Sequence, residues 1–223
     1  MIWEADMNVS TELSTVRRNP GLQMEISPHL VLPAFRMAFA PNEEIFGQEE
    51  EADFVYKVID GAVRTSRLLS DGRRQIVGFH LPGDVFGLEC GASHRFSAEA
   101  VVDTSIALVR RSTLQRALEK DPHAAQELWM LTSRELEALQ EHMLVLSRKS
   151  ASERVASFLL KLGRQYGSKV IELPMSRCDI ADHLGLTLET VSRTLSQMSK
   201  DHVIQMVSAR RLVLERPDML EAA

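Results

Sequence analysis

Cysteine is almost absent. The chain holds two in 223 residues, Cys90 and Cys178, too few for a disulfide framework. Aromatic residues are scarce at 5%, and no apolar run approaches the roughly 18 residues that a membrane-spanning helix requires. The opening stretch "MIWEADMNVSTELSTVRRNPGLQM" lacks an apolar segment behind a basic one, which is unlike a signal peptide. Seven histidines occur, His29, His80, His94, His123, His142, His183 and His202, and none forms an H-x-H or H-x-x-x-H set. A cupin-type metal enzyme would therefore lack its ligands. No Ser-His-Asp arrangement and no phosphate-cradling glycine loop stands out either. Hence no catalytic residue, no metal and no cofactor is expected, and the protein should reside in the cytoplasm without a membrane partner.

What is present describes an ordinary globular chain, 44% hydrophobic and 26% charged. The net charge of −5 is unevenly spread. From Arg148 to Arg216 there are twelve Lys and Arg against seven Asp and Glu, a surplus of five positive charges that leaves −10 on the remainder. An acidic body joined to a basic end suggests a separate module for nucleic acid.

The pattern along the chain predicts an α+β protein in four parts. Residues 1–24 lack periodicity and read as a loosely packed N-terminal extension. Residues 25–122 read as short strands: "AVRTSRLL" and "RRQIVGFHL" flank Ser70-Asp71-Gly72 as a hairpin, and Asp60-Gly61 and Pro82-Gly83-Asp84 mark further turns. Strands at that spacing suggest a small antiparallel barrel or sandwich, in which Cys90 should be a buried packing residue. After a short helix ending at Pro122, residues 123–147 read as one long helix. In it Trp129, Leu136, Leu139, Met143 and Leu146 hold coiled-coil spacing, interrupted by Thr132, and predict a dimerisation seam. Residues 148–223 combine helices with "KVIEL", "VIQMV" and "RLVLE", a winged helix-turn-helix with a C-terminal tail. Ser150 and Glu153 form a capping box at its start.

Within that last part, "MSRCDIADHLGLTLETVSRTLSQM" breaks a helical pattern at Gly185 and resumes it at once. Ser176 can cap the first helix, Gly185 can end it, and Thr187 can cap the second. Val191, Leu195 and Met198 then share one face, leaving Glu189, Ser192, Arg193, Ser196 and Lys200 on the other. An α-helix fits the major groove, where Arg193 can fork onto a guanine and Glu189 can accept from a cytosine amino group. Ser192 suits a thymine or a phosphate. Thr187, Thr190, Ser196 and Arg177 complete the candidate DNA-binding set. His183, on the first helix, should face solvent or the DNA backbone.

"RCDIADHLGLTLETVSRTLSQM" resembles the helix-turn-helix of the CRP/FNR superfamily, and Glu189, Ser192 and Arg193 match the Glu-x-x-Ser-Arg of its FNR and FixK-like branches. "GRRQIVGFHLPGDVFGLE" is similar to the glycine-punctuated segment of that family's cyclic-nucleotide-binding-like jelly roll, and "LSRKSASERVASFLLKL" to the start of its DNA-binding domain. The resemblance spans roughly residues 26–216. It implies a homodimer held by the long helix, reading a TTG-N8-CAA-type palindrome in double-stranded DNA. It also implies an activator that contacts RNA polymerase, with the loop from Asp71 to Gln75 as one candidate surface. FixK-type relatives serve low-oxygen respiration, denitrification or nitrogen fixation.

The departures from that pattern are informative. Where nucleotide-binding members carry Gly-Glu and Arg-Ser pairs, this chain has Gly87-Leu88 and Phe96-Ser97. Without that arginine a cyclic phosphate loses its charge-assisted partner, and Glu89 and Arg95 are slipped by one position. Two cysteines also exclude a cluster held by four thiolates of one chain. Cys178 stands in the first turn of the first helix beside Arg177, where oxidation would set bulk and charge against the DNA backbone. Its reading stays open between a redox-sensitive thiol and an inert small residue. Two alternatives accompany the regulator reading: a family member gated by haem or a small ligand in the roll, and a barrel-fold enzyme tethered to DNA. The end "LEAA" resembles tails taken by bacterial proteases.

Overall fold

The structure, a computed structural model, describes residues 22–221. Thirteen strands and six helices follow one another among them. The first ten strands build the roll: β1 (Gln23–Ser27), β2 (Leu30–Pro33), β3 (Phe35–Phe39), β4 (Glu44–Phe46), β5 (Phe54–Asp60), β6 (Val63–Leu68), β7 (Arg74–His80), β8 (Val85–Phe86), β9 (Ser97–Ala100) and β10 (Thr104–Arg110). Two antiparallel four-stranded sheets, ordered β3-β10-β5-β8 and β4-β9-β6-β7, face each other, with the β1–β2 hairpin beside them. Strand β10 is central in its sheet, so "IALV" is buried without alternation. The β6–β7 hairpin forms around Ser70-Asp71-Gly72 as its turn residues predict.

Helix α1 (Arg111–Lys120) closes the roll, and the long helix α2 (Pro122–Arg148) follows. Asp121 caps α2 by accepting from the His123 amide at 2.9 Å, with Pro122 at the first helical position, where its missing N–H costs nothing. The C-terminal part comprises α3 (Ala151–Tyr166), β11 (Val170–Glu172), α4 (Arg177–Leu184), α5 (Leu188–Lys200), β12 (Ile204–Met206), β13 (Arg211–Leu214) and α6 (Pro217–Glu221). Ser150 and Glu153 close both bonds of the expected capping box on α3. Strands β11-β13-β12 form the wing sheet.

Three apolar clusters hold these parts. One fills the roll, a second joins β1, β2, α1 and the start of α2, and the third is the core of the C-terminal part. That third core also includes Ala62, Leu81 and Val101 of the roll, with Phe79 against it. The roll and the C-terminal part therefore share an apolar contact.

Three sequence expectations are corrected. Cys90 is exposed rather than a packing residue, because it lies in the turn after β8 and not in a strand. Met24, assigned to the loose extension, is only 1% exposed in β1, where its apolar side chain meets the α2 start; the extension up to residue 21 lies outside the described residues. Leu220 of the tail is buried in the C-terminal core, while the two alanines after it are outside the described residues. No helix among the described residues is long and apolar enough to cross a membrane.

Candidate nucleic-acid interface

Helices α4 and α5 are set by the capping chemistry that the sequence predicts. The Ser176 hydroxyl accepts from the Asp179 amide at 3.0 Å, and the Asp179 carboxylate accepts in return from the Ser176 amide at 3.0 Å. Gly185 ends α4 at φ 62°, a left-handed conformation that only glycine enters without strain. Thr187 then opens α5 by accepting from the Thr190 amide at 3.2 Å. From outside, Arg154 of α3 steadies the turn. Its guanidinium donates to the carbonyls of Leu184 at 3.0 Å, Lys149 at 3.0 Å and Leu146 at 2.8 Å, tying the C-terminal ends of α2 and α4 together.

Val191, Leu195 and Met198 anchor α5 in the core. The opposite face carries Glu189, Arg193 and Ser196 exposed and Ser192 and Thr190 half-buried. Among the described residues Arg193 makes no hydrogen bond or ion pair, so its fork is open to a ligand. The Glu189 carboxyl is held below its usual range, first by its own backbone amide, then by the Thr187 hydroxyl, with the Arg193 charge contributing less. Arg177 is not loose: its guanidinium donates to the Ser192 hydroxyl at 3.4 Å, joining the first helix to the reading face. Leu188, missed by the sequence reading, is 44% exposed beside Glu189 in the first turn of α5. Its place between the Thr187 cap and Glu189 was the available signal, and apolar contact suits a thymine methyl.

Cys178 is exposed in the first turn of α4. His183, expected to face solvent or DNA backbone, is instead 5% exposed. It lies on the side of α4 that docks against β7, its Nδ1 hydrogen-bonded to the Ile76 carbonyl at 3.1 Å. Its ring stacks on His142 of α2 at 4.2 Å. The candidate polymerase loop divides the same way. Asp71, Gly72 and Arg73 are exposed at the hairpin tip, whereas Arg74 and Gln75 bind Asp182 of α4.

The roll interior is occupied by protein. Phe46 stacks on His94 at 3.6 Å, and Tyr56 stacks on Phe86 at 5.1 Å. Glu89 is committed to His94 at 2.7 Å and to Arg111 at 3.4 Å. Glu89 therefore already holds two protein partners in the roll. Along α2, Trp129, Leu136, Leu139 and Met143 are exposed, up to 73% for Trp129, and Leu146 is half-buried. The Thr132 hydroxyl turns back onto the Leu128 and Trp129 carbonyls at 3.1 and 2.9 Å, so its interruption of the seam leaves no unpaired hydroxyl.

Two family models match the chain. Residues 153–223 match the Crp-like helix-turn-helix domain, and residues 36–121 match the cyclic nucleotide-binding domain. The chain is 52% identical over 182 residues to the nitrogen fixation regulation protein FixK of Azorhizobium caulinodans, covering 79% of this chain and 73% of that one. It is 34% identical over 186 residues to the transcriptional activator protein FnrL of Cereibacter sphaeroides, covering 79% and 75% respectively. Among solved structures it resembles FixK2 from Bradyrhizobium japonicum, with a TM-score of 0.83 and 52% identity over 86% of this chain and 97% of that one.

Proposed function

The chain belongs to the CRP/FNR family of DNA-binding transcription regulators, and we propose that it is a homodimeric activator reading a TTG-N8-CAA palindrome. The observation that carries this reading is the open guanidinium of Arg193 on the exposed face of a capped helix. Forked onto O6 and N7 of the half-site guanine, it supplies about 1–3 kcal/mol of discrimination. Glu189 accepts from the cytosine amino group, Leu188 meets a thymine methyl, and Ser192 contacts a thymine or a phosphate. Thr187, Thr190, Ser196 and Arg177 serve the backbone, where contacts fix register rather than sequence.

A palindrome requires two copies. The exposed apolar seam of Trp129, Leu136, Leu139, Met143 and Leu146 supports pairing through α2, which would set two α5 helices about one helical turn apart. Further parts of the reading rest on family likeness: RNA polymerase as partner at the exposed Asp71–Arg73 tip, a cytoplasmic location, and control of genes for low-oxygen respiration, denitrification or nitrogen fixation. Redox tuning through Cys178 is supported by its exposure beside Arg177, whose guanidinium reaches the reading face.

Selection of bound sequences from random duplex DNA tests the reading. Wild type should return the TTG-N8-CAA palindrome, and Arg193→Ala should lose preference at the guanine. A non-palindromic consensus, or an unaltered guanine preference in the variant, would overturn it.

A further inference from the structure

The underside of α4, opposite the reading face, is bound to the roll by an unusual concentration of charge. Asp179 is 4% exposed and spends both carboxylate oxygens. Its Oδ2 caps its own helix through the Ser176 amide at 3.0 Å and hydroxyl at 2.7 Å. Its Oδ1 accepts from two guanidiniums of the β6–β7 hairpin, Arg64 at 3.3 Å and Arg74 at 2.7 Å. Arg64 is itself buried and pinned by Glu99 at 2.8 Å and Asn42 at 3.0 Å. Arg74 also forks onto Asp182 through Nε at 3.1 Å and Nη2 at 2.9 Å. The next two residues of β7 continue the contact, Gln75 donating to the Asp182 carbonyl at 2.8 Å and the Ile76 carbonyl meeting His183 at 3.1 Å.

Such a network is a poor way to gain stability alone, because burying paired charges roughly cancels their attraction. What it adds is direction. The dry patch of Ala62, Leu81, Val101 and Phe79 holds the two parts together but permits sliding, since apolar attraction is non-directional. Forked guanidinium–carboxylate bonds do not permit it.

We propose that Asp179 and Arg74 are positioning residues that fix the angle at which α5 is presented, and thereby the half-site spacing that the dimer accepts. The inference rests on the palindrome reading above. Neither residue touches DNA; each acts through α4. Loosening the network should leave base recognition within a half-site intact and blur only the distance between half-sites.

The test uses the full chain and three duplexes whose TTG and CAA half-sites are separated by the N8 spacer, one base pair less, or one more. A fourth duplex carries the N8 spacer with the half-site guanine replaced. Wild type should favour the N8 spacer by at least roughly tenfold. Arg74→Glu, which faces Asp179 and Asp182 with a like charge, should bring the three spacings within about threefold of one another, a change within the range seen for coupled charge pairs. Its penalty for the replaced guanine should match wild type. Arg74→Lys keeps a positive charge toward Asp179 and Asp182 and should retain more of the spacing preference than Arg74→Glu. Arg74→Gln carries the same test if the reversed charge unfolds the chain, as thermal melting would reveal. Spacing preference unchanged in folded Arg74→Glu or Arg74→Gln, or lost as fully in Arg74→Lys as in Arg74→Glu, overturns the proposal. A wild type indifferent to spacing but selective for the guanine would overturn the dimeric reading and this inference with it; indifference to both would remove base reading as well.

Discussion

The imidazoles of His142 and His183 lie stacked, their centroids 4.2 Å apart and their planes 10° apart, where the long helix meets the first helix of the DNA-binding part. Burial, then the neighbouring His142, and Lys161 push His183 down to about 3, against the opposing pull of the Ile76 carbonyl. His142 is lowered by burial and then by Lys161. His183 is therefore neutral in the folded chain, while in the unfolded chain it titrates near 6.5.

The sign of the pH dependence follows. Below pH 6.5 the unfolded chain takes up a proton that folded His183 refuses, so the stability from this group is present above pH 6.5 and declines toward its folded value of about 3. His183 contributes a loss of up to about 1.4 kcal/mol per pH unit in that window. Urea unfolding at pH 7, 6 and 5 should give a slope shallower by about one proton in His183→Gln than in wild type. Equal slopes would mean that His183 titrates normally in the fold.

Arg154 gathers three carbonyls, those of Leu146, Lys149 and Leu184. A lysine at that position has one ammonium and no fork, so Arg154→Lys should cost about 2–4 kcal/mol through lost charge-assisted bonds. The urea midpoint should fall with its m-value unchanged.

Met143 and Leu136 of α2 are 62% and 56% exposed. Met143→Glu together with Leu136→Glu should give a monomer in sedimentation equilibrium. Affinity for the palindrome should drop roughly a hundredfold or more as the second half-site ceases to be held nearby, while affinity for one half-site stays the same. A variant that remains dimeric places the seam elsewhere.

Both cysteines are exposed, so a peroxide experiment must separate them. Peroxide should weaken DNA binding by wild type and by Cys90→Ser, and leave Cys178→Ser unaffected. Equal loss in wild type and Cys178→Ser would remove Cys178 from the proposal.

How legible the fold and site were in the sequence differs by range. Caps and turns are local, so Ser150, Ser176, Thr187 and Gly185 announced themselves through residues within a few positions. The face of α5 was equally legible, because Val191, Leu195 and Met198 fix its orientation by spacing alone. The contacts of α4 were not. Asp179 meets Arg64 and Arg74 across 115 and 105 positions, and no periodicity connects such residues. His183 misled for the same reason: its helix has a second buried side, created by β7 rather than by its own core. Cys90 misled because an apolar neighbourhood in sequence became an exposed turn in space. Leu188 went unnoticed because a leucine at a helix start reads as core until its exposure is known.

The most direct measurement exchanges one atom of the DNA, replacing a ring nitrogen with C–H. A palindromic duplex with 7-deazaguanine at the TTG guanine of each half-site keeps O6 and loses N7, the second prong of the Arg193 contact. Wild type should bind it at least about tenfold more weakly than the natural duplex, a loss within the range for a bidentate pair, and Arg193→Ala should bind the two duplexes alike. Equal binding of both duplexes by wild type would contradict the guanine contact on which the proposed function stands.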